Sequence, residues 1–201
     1  QGHIILNDKE VTNGSPLQHI DVGQSYIPEE RMKEGAIRDF SVADNMILAD
    51  HGKKPYSRRS FLDFKAIREQ VGKIVSDFNV KTPSLDTPVK NLSGGNQQRA
   101  LLAMLREPLN LMLLEHPTRG LDIESGRYIW RKLKERCRQG TAILFISPDL
   151  EEVLQYSDRI LVFFSGRISH PLQAAGTSVD ELGLLISGKD WDEIVSGEVN
   201  A

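Results

Sequence analysis

The sequence has little that would staple the chain or anchor it in a membrane. Of its 201 residues only one is a cysteine, Cys137. A single thiol excludes an internal disulfide framework and fits a reducing compartment. No apolar run reaches the roughly 18 residues that a membrane-spanning helix needs. No charged-then-apolar leader pattern opens the chain. Charge of one sign is missing too: 25 basic residues stand against 28 acidic ones, a net charge of −3 spread along the sequence. No polybasic block argues for nucleic acid or a lipid surface. The chain starts at Gln1 and enters strand-like sequence almost at once, which reads as a piece cut from a longer polypeptide. At this length one domain, or one domain with a subdomain, is expected, with enough chain for a proper core.

What organises the chain is Leu92-Ser93-Gly94-Gly95-Asn96-Gln97-Gln98, followed by an apolar helical segment and then LMLLEHPTRGLD from Leu111 to Asp122. Ser93 and the two glycines read as the mouth of a helix. Its first N–H groups lack internal partners and sit at the positive end of the dipole, which suits a phosphate. Ser-Gly-Gly alone reads first as an ordinary turn with serine as the cap, since so short a motif recurs by chance.

Along the chain, His3–Leu6 and Ser25–Ile27 read as strands, and Ser15-Pro16 as the start of a short helix. Glu29–Gly35 is a polar loop, and SVADNMIL (41–48) a short helix. HGKKPYSRR (51–59) is a basic connection. From Phe61 to Phe78 apolar residues recur at helical spacing. A helix over Asn96–Glu107 should be stopped by Pro108. Leu111–Leu114 and Thr141–Ile146 read as fully buried parallel strands. Between them Asp122–Arg138 reads as a helix with Trp130, Leu133 and Cys137 as its stripe; Cys137 is then a small core residue. Ser147 reads as an N-cap with Pro148 at the first helical position, and Arg159–Phe164 as one strand. Ser178–Glu181 is a capping box, and Asp190–Glu193 repeats the pattern. Strand–helix–strand–helix–strand with short joints implies an α/β fold, a parallel sheet with helices on its faces.

LSGGNQQ, an apolar strand some twenty residues later, and PTRGLD resemble the signature, Walker B strand and D-loop of ABC-type ATPases. Together with IPEERMKEGAIRDFSVADNMIL (27–48), DRILVFFSGRI (158–168) and ELGLLISG (181–188), they resemble the second half of the ATP-binding subunits of bacterial sugar and nucleoside importers. The resemblance runs from about Gly2 to Gly188. It implies a P-loop NTPase-like ABC ATPase domain over 1–170, lacking its Walker A part. The inserted helical subdomain falls at about 40–107, with a helical tail over 171–201.

The resemblance places Ser93, Gly94, Gly95, Gln97 and the D-loop residue Asp122 against ATP. It places Glu115 at the Mg2+-holding position and His116 at that of the water-polarising glutamate. Pro148 stands where a γ-phosphate-contacting histidine is common, and a structural role suits it better. Glu115 keeps a carboxylate one methylene longer than the usual Asp, so it is at most a weak metal ligand. His116 is a poor base beside phosphate charges that favour its protonated form. Glu29 and Glu30 occupy the loop that couples to a permease, where the usual Gln is absent. They read as metal or water ligands, or as part of a solvated charged loop. Arg119 reads as a solvated or dimer-facing charge.

A phosphate loop, G-x-x-x-x-G-K-[ST], is absent. The near-match at Gly183–Asp190 has an apolar middle and no preceding strand. The implied reading is an ATP hydrolase subunit at the cytoplasmic face of a bacterial plasma membrane. This half donates an intact signature, while its own hydrolytic site is degenerate. ATP and Mg2+ are its implied cofactors in the full-length protein; the fragment alone is expected to bind ATP weakly or not at all and to be inactive. The implied partners are the N-terminal ATPase half or a second copy, membrane permease subunits and, indirectly, a periplasmic or lipoprotein solute-binding protein, with no nucleic acid. Alternatives are a non-transport ABC ATPase acting on nucleic acid, and a structural dimerisation half. With a sheet short of a strand and a helix, apolar surface is expected to stand open.

Overall fold

The structure, a computed structural model, describes residues 2–59, 61–105, 109–189 and 191. It divides into two compact units, 1–145 and 146–201.

In the first unit, β1 (Ile5–Leu6) and β2 (Lys9–Glu10) form a small antiparallel hairpin. Ser15 caps α1 (Pro16–Asp21) through a capping box with Gln18. The central sheet has the order β3 (Gln24–Ile27), β6 (Leu111–Glu115), β7 (Ala142–Ile146). Strands β3 and β6 run parallel, with Gln24 opposite Leu111 and Ile27 opposite Leu114. Met112 and Leu114 are buried on β6. Strand β7 differs from expectation: Leu144 is 55% and Ile146 61% exposed, so one face of this edge strand is open.

Between β3 and β6 lies a helical region. A single π-helical turn, Arg31–Gly35, is followed by α2 (Val42–Ile47), the β4–β5 hairpin (Ser57–Arg58 and Phe61–Leu62), α3 (Phe64–Asp77) and α4 (Gly94–Ala103). Helix α3 starts three residues later than its apolar spacing suggested. Asp63 caps it by accepting the Ala66 N–H at 3.0 Å, and Phe61 is held in the hairpin instead. Ile67 and Val71 face a core shared with Val42, Met46, Val89, Leu92 and Ala100. Buried Asn45 pins the loop before α2: it accepts from the Ile37 N–H at 2.9 Å and donates to the Ile37 carbonyl at 3.0 Å. Helix α4 begins two residues before the expected Asn96, at Gly94, and ends at Ala103 with Met104 as its C-cap, short of the expected Glu107; Glu107 and Pro108 themselves lie outside the described residues.

Asp122 caps α5 (Ile123–Arg138), which buries Ile129, Trp130 and Leu133. Cys137 is exposed, contrary to expectation. Seven residues beyond Trp130 it falls near the stripe in angle, yet it lies in the last turn, where the helix runs past the core.

In the second unit, α6 (Leu150–Tyr156) is capped by Asp149 and not by Ser147. Asp149 accepts the Glu152 N–H at 3.0 Å, so exposed Pro148 precedes the cap instead of occupying the first helical position. The expected strand 159–164 is two short ones. Strand β8 (Arg159–Ile160) pairs with β11 (Leu172–Gln173), and β9 (Phe163–Phe164) with β10 (Arg167–Ile168). Helix α7 (Val179–Ile186) opens on the Ser178–Glu181 capping box. The near-match to a phosphate loop therefore winds along a helix. Gly188, at φ +82°, ends it where an added Cβ would lie 2.2 Å from the Phe164 ring. Buried Trp191 donates to the Leu185 carbonyl at 2.7 Å; the rest of the second capping pattern lies outside the described residues.

Ile67→Ala should cost about 2–5 kcal/mol in urea unfolding of the chain, because it empties a buried site. Phe64→Ala, at a ring 68% exposed, should stay within about 0.5 kcal/mol.

Candidate functional site: the signature helix and the end of strand β6

Ser93 takes the extended N-cap position of α4 and is exposed, but its side chain makes no capping bond. Asn96 Nδ2 donates to Ser93 Oγ at 2.9 Å, and Asn96 Oδ1 accepts the Lys81 N–H at 2.8 Å. The helix mouth therefore carries no side-chain cap, and the Ser93 hydroxyl keeps its own proton to donate. Gln97 turns inward and donates to the Leu92 carbonyl at 3.0 Å, which closes the loop before the helix. The two glycines have different work. A Cβ on Gly94 would meet nothing closer than 3.8 Å. One on Gly95 would lie 2.7 Å from Ser125 Oγ, in the first turn of α5. Gly95 is thus a point of close approach between α4 and α5.

Ser125 is set by Asp122, whose carboxylate accepts the Ser125 N–H at 2.9 Å. Hydrogen bonds from the Ser125 backbone and side chain hold the Asp122 carboxyl below the usual carboxylate range. This contribution to stability is present above pH ~4 and is lost as pH falls through the lowered value.

Strand β6 delivers Glu115 and His116 to the loop after β3. Glu115 Oε2 accepts the Glu29 N–H at 3.1 Å, and the Tyr26 hydroxyl donates to the same carboxylate. Desolvation first, and then this bond and the negative charge, raise Tyr26 above its ordinary value. His116 sits at φ 46°, in the left-handed region that a side chain of its size rarely adopts. Its Nδ1 is buried without a hydrogen-bond partner, and its Nε2 lies 3.5 Å from the Glu29 carboxylate. That carboxylate also forms an ion pair with Arg119. Arg119 is thus tied to the loop after β3. Glu30 is exposed, and its carbonyl accepts from Lys33 and Glu34 at 2.9 Å.

Two residues not singled out from the sequence join these parts. Arg31 Nη2 donates to the Arg119 carbonyl at 2.7 Å, and Nη1 reaches Gln98 Oε1 at 3.4 Å. Burial lowers the Arg31 guanidinium from its ordinary value. Gln98 is 1% exposed on α4. Gln98 is the last residue of the LSGGNQQ run, but nothing in the sequence marked it as a partner of Arg31.

Among the described residues, no group of three or more His, Cys, Asp or Glu side chains could hold a metal ion. Glu115 offers a single carboxylate, already accepting the Glu29 N–H, which is the least that Mg2+ takes from a protein when phosphate oxygens complete its shell.

No family model matches the chain. The architecture is that of an ATP-binding cassette. A nucleotide-free ATP-binding cassette from an ABC transporter superposes with a TM-score of 0.71 at 20% identity, over 98% of this chain and 78% of that one. The dimeric cassette MJ0796 bound to ADP and Pi gives 0.67 at 16% identity, over 88% and 75%. Within that class, the chain is related to the ATP-binding proteins of sugar and nucleoside import. It is 36% identical to the guanosine import ATP-binding protein NupO of Bacillus subtilis, over 99% of this chain and 39% of that protein. It is 34% identical to the nucleoside import ATP-binding protein NupA of Lactococcus lactis, over 96% and 38%. It is 39% identical to the ribose import ATP-binding protein RbsA of Clostridium tetani, over 85% and 34%. The chain thus spans about two fifths of the first of these relatives.

Arg31→Ala should destabilise the chain by about 1–3 kcal/mol, because it strands the buried Gln98 amide oxygen. It should also speed hydrogen exchange at residues 119–121. Arg31→Lys should recover little of either, since one ammonium cannot reproduce the two-armed contact. Spectrophotometric titration should find Tyr26 and Tyr56 ionising later than the ordinary value, and Glu115→Gln should bring Tyr26 only part of the way back, because its desolvation remains.

Proposed function

We propose that this chain is the signature-bearing, C-terminal ATPase half of the ATP-binding subunit of a bacterial importer for nucleosides or sugars. The observation that carries the reading is the uncapped mouth of α4, with exposed Ser93 beside Gly94. Open N–H groups, a helix dipole and a hydroxyl donor together suit the terminal phosphate of ATP. The relatives' names support the substrate class, with the nucleoside importers matching over the most chain.

In this reading the phosphate loop that holds that ATP belongs to the N-terminal half or to a second copy. Ser93, Gly94 and Gly95 close over its γ-phosphate. Gln97 keeps the signature loop closed, and Asp122 sets the turn on which α4 rests. The chain's own β6 site contributes little hydrolysis. Glu115 is engaged with Glu29 and Tyr26, and His116 faces Glu29 where a general base would stand. Losing a positioned base typically costs about 10²- to 10⁴-fold. Glu115 would be the residue to hold Mg2+, which would supply neutralisation of phosphate charge there. Pro148 has neither a side-chain donor nor an N–H to offer a phosphate.

We assign Glu29 and Glu30 to the loop that meets the permease, residues 40–107 to the helical subdomain and 171–201 to a C-terminal helical tail. The assembly then sits at the cytoplasmic face of the membrane and meets its solute-binding protein only through the permease.

The test is steady-state ATP hydrolysis by the complete two-half subunit with its permease. Ser93→Arg should lower turnover by about 10²-fold or more, because it blocks the donor set. His116→Ala should leave turnover within about threefold, since no general base is lost. Large damage from His116→Ala would place this residue in the chemistry and overturn the degenerate-site reading.

A further inference from the structure

The basic connection between α2 and α3 is clustered in sequence and gathers around one cavity. Residues 51–62 carry four cations, Lys53, Lys54, Arg58 and Arg59, and no acid. Asp50 pairs with Lys53 at 2.8 Å and Asp63 with Arg58 at 3.4 Å, but both cations remain largely exposed. Lys54 and Arg59 form no ion pair among the described residues and are exposed. Lys54, Ser57, Arg58 and Arg59 line a shallow cavity of about 440 Å³ closed on one side by Asp63. Beside it, Phe61 is 79% and Phe64 68% exposed, with Leu62 at 41%. Register places Phe61 directly across the hairpin from Arg58.

This patch is held in shape. The Asp63 N–H donates to the Tyr56 carbonyl at 2.9 Å across the hairpin base, and Ser57 Oγ donates to the Gly52 carbonyl at 2.9 Å. Tyr56 packs on the helical core. The exposed rings are therefore presented by an anchored hairpin and not by a loose loop.

We propose that the β4–β5 hairpin docks on an anionic phospholipid bilayer. The cationic cavity takes a lipid phosphate, and Phe61 and Phe64 enter the layer just beneath the headgroups. A bilayer satisfies both features at once, because it offers negative charge at its surface and apolar chains below. An acidic protein surface would satisfy the cations but leave two protruding rings in water. The proposal goes beyond the importer reading and rests on the hairpin alone; its readout does not involve ATP.

The experiment is cosedimentation of the 201-residue chain with phosphatidylcholine vesicles, with and without phosphatidylglycerol. Binding should be at least about tenfold tighter with roughly 30% phosphatidylglycerol and should fall at high salt. Lys54→Glu with Arg59→Glu should bring it down to the neutral-vesicle level. Phe61→Ser with Phe64→Ser should weaken it about tenfold, and both rings are exposed enough for the variant to fold. Equal binding to neutral vesicles, or unchanged binding by either hairpin variant, would overturn the proposal. So would release by Leu144→Ser on the open edge strand in place of the hairpin variants. An acidic protein as the occupant would show as no vesicle binding at all, which also overturns it.

Discussion

A half-buried guanidinium joins the three segments of the candidate site. Arg31 reaches the turn after β6 through the Arg119 carbonyl and the signature helix through Gln98. Its neighbour Glu29 binds Arg119 and faces His116. The Glu29–Arg119 pair is partly exposed and contributes at most about 1 kcal/mol. Its importance is positional, because a planar guanidinium with several fixed donors restricts the distance between three backbone segments in a way one point charge cannot. With that joint in place, the loop after β3, the end of β6 and the mouth of α4 are no longer independent pieces.

The second constraint is steric. Gly95 brings α4 against Ser125, and Ser125 is in turn held by Asp122. One glycine of the signature is thus explained by helix packing, while a side chain at Gly94 would make only ordinary contact with Gly120 and Leu121. Packing accounts for Gly95 as a glycine; under the proposed reading its backbone still faces the phosphate beside Ser93 and Gly94.

Much of this was legible in the sequence, and the limits follow from what is local. The central strands, α3, α5 and the Ser178 capping box carry periodic or capping signals written in adjacent residues, and the signature run is equally local. Arg31 with Arg119, and Glu29 with His116, are contacts between residues more than eighty positions apart, for which no spacing rule exists. Cys137 was misplaced because helical periodicity gives an angle but not where the core ends along the axis. Phe61 and Phe64 were drawn into the α3 stripe because apolar character does not say which residue caps; Asp63 does, and it moves the start past Phe61. Strand β7 read as buried because an apolar run looks the same at the centre and at the edge of a sheet.

Under the proposed reading, the electrostatics of β6 allow an intact donor and a poor acceptor to coexist in one chain. The signature depends on backbone N–H groups, a dipole and one hydroxyl, none of which touches Glu115 or His116. The end of β6 depends on a carboxylate free to act, and here the available carboxylates are spent on each other's surroundings. Glu115 accepts from Tyr26 and Glu29, and Glu29 neutralises Arg119. Changes at positions 115 and 116 therefore leave the mouth of α4 unaltered, whereas a change at Arg31 reaches both. Under the proposed reading, selection on one composite ATP site would hold Ser93, Gly95 and Arg31 tightly and leave His116 free to drift, even into a backbone conformation as costly as φ 46°.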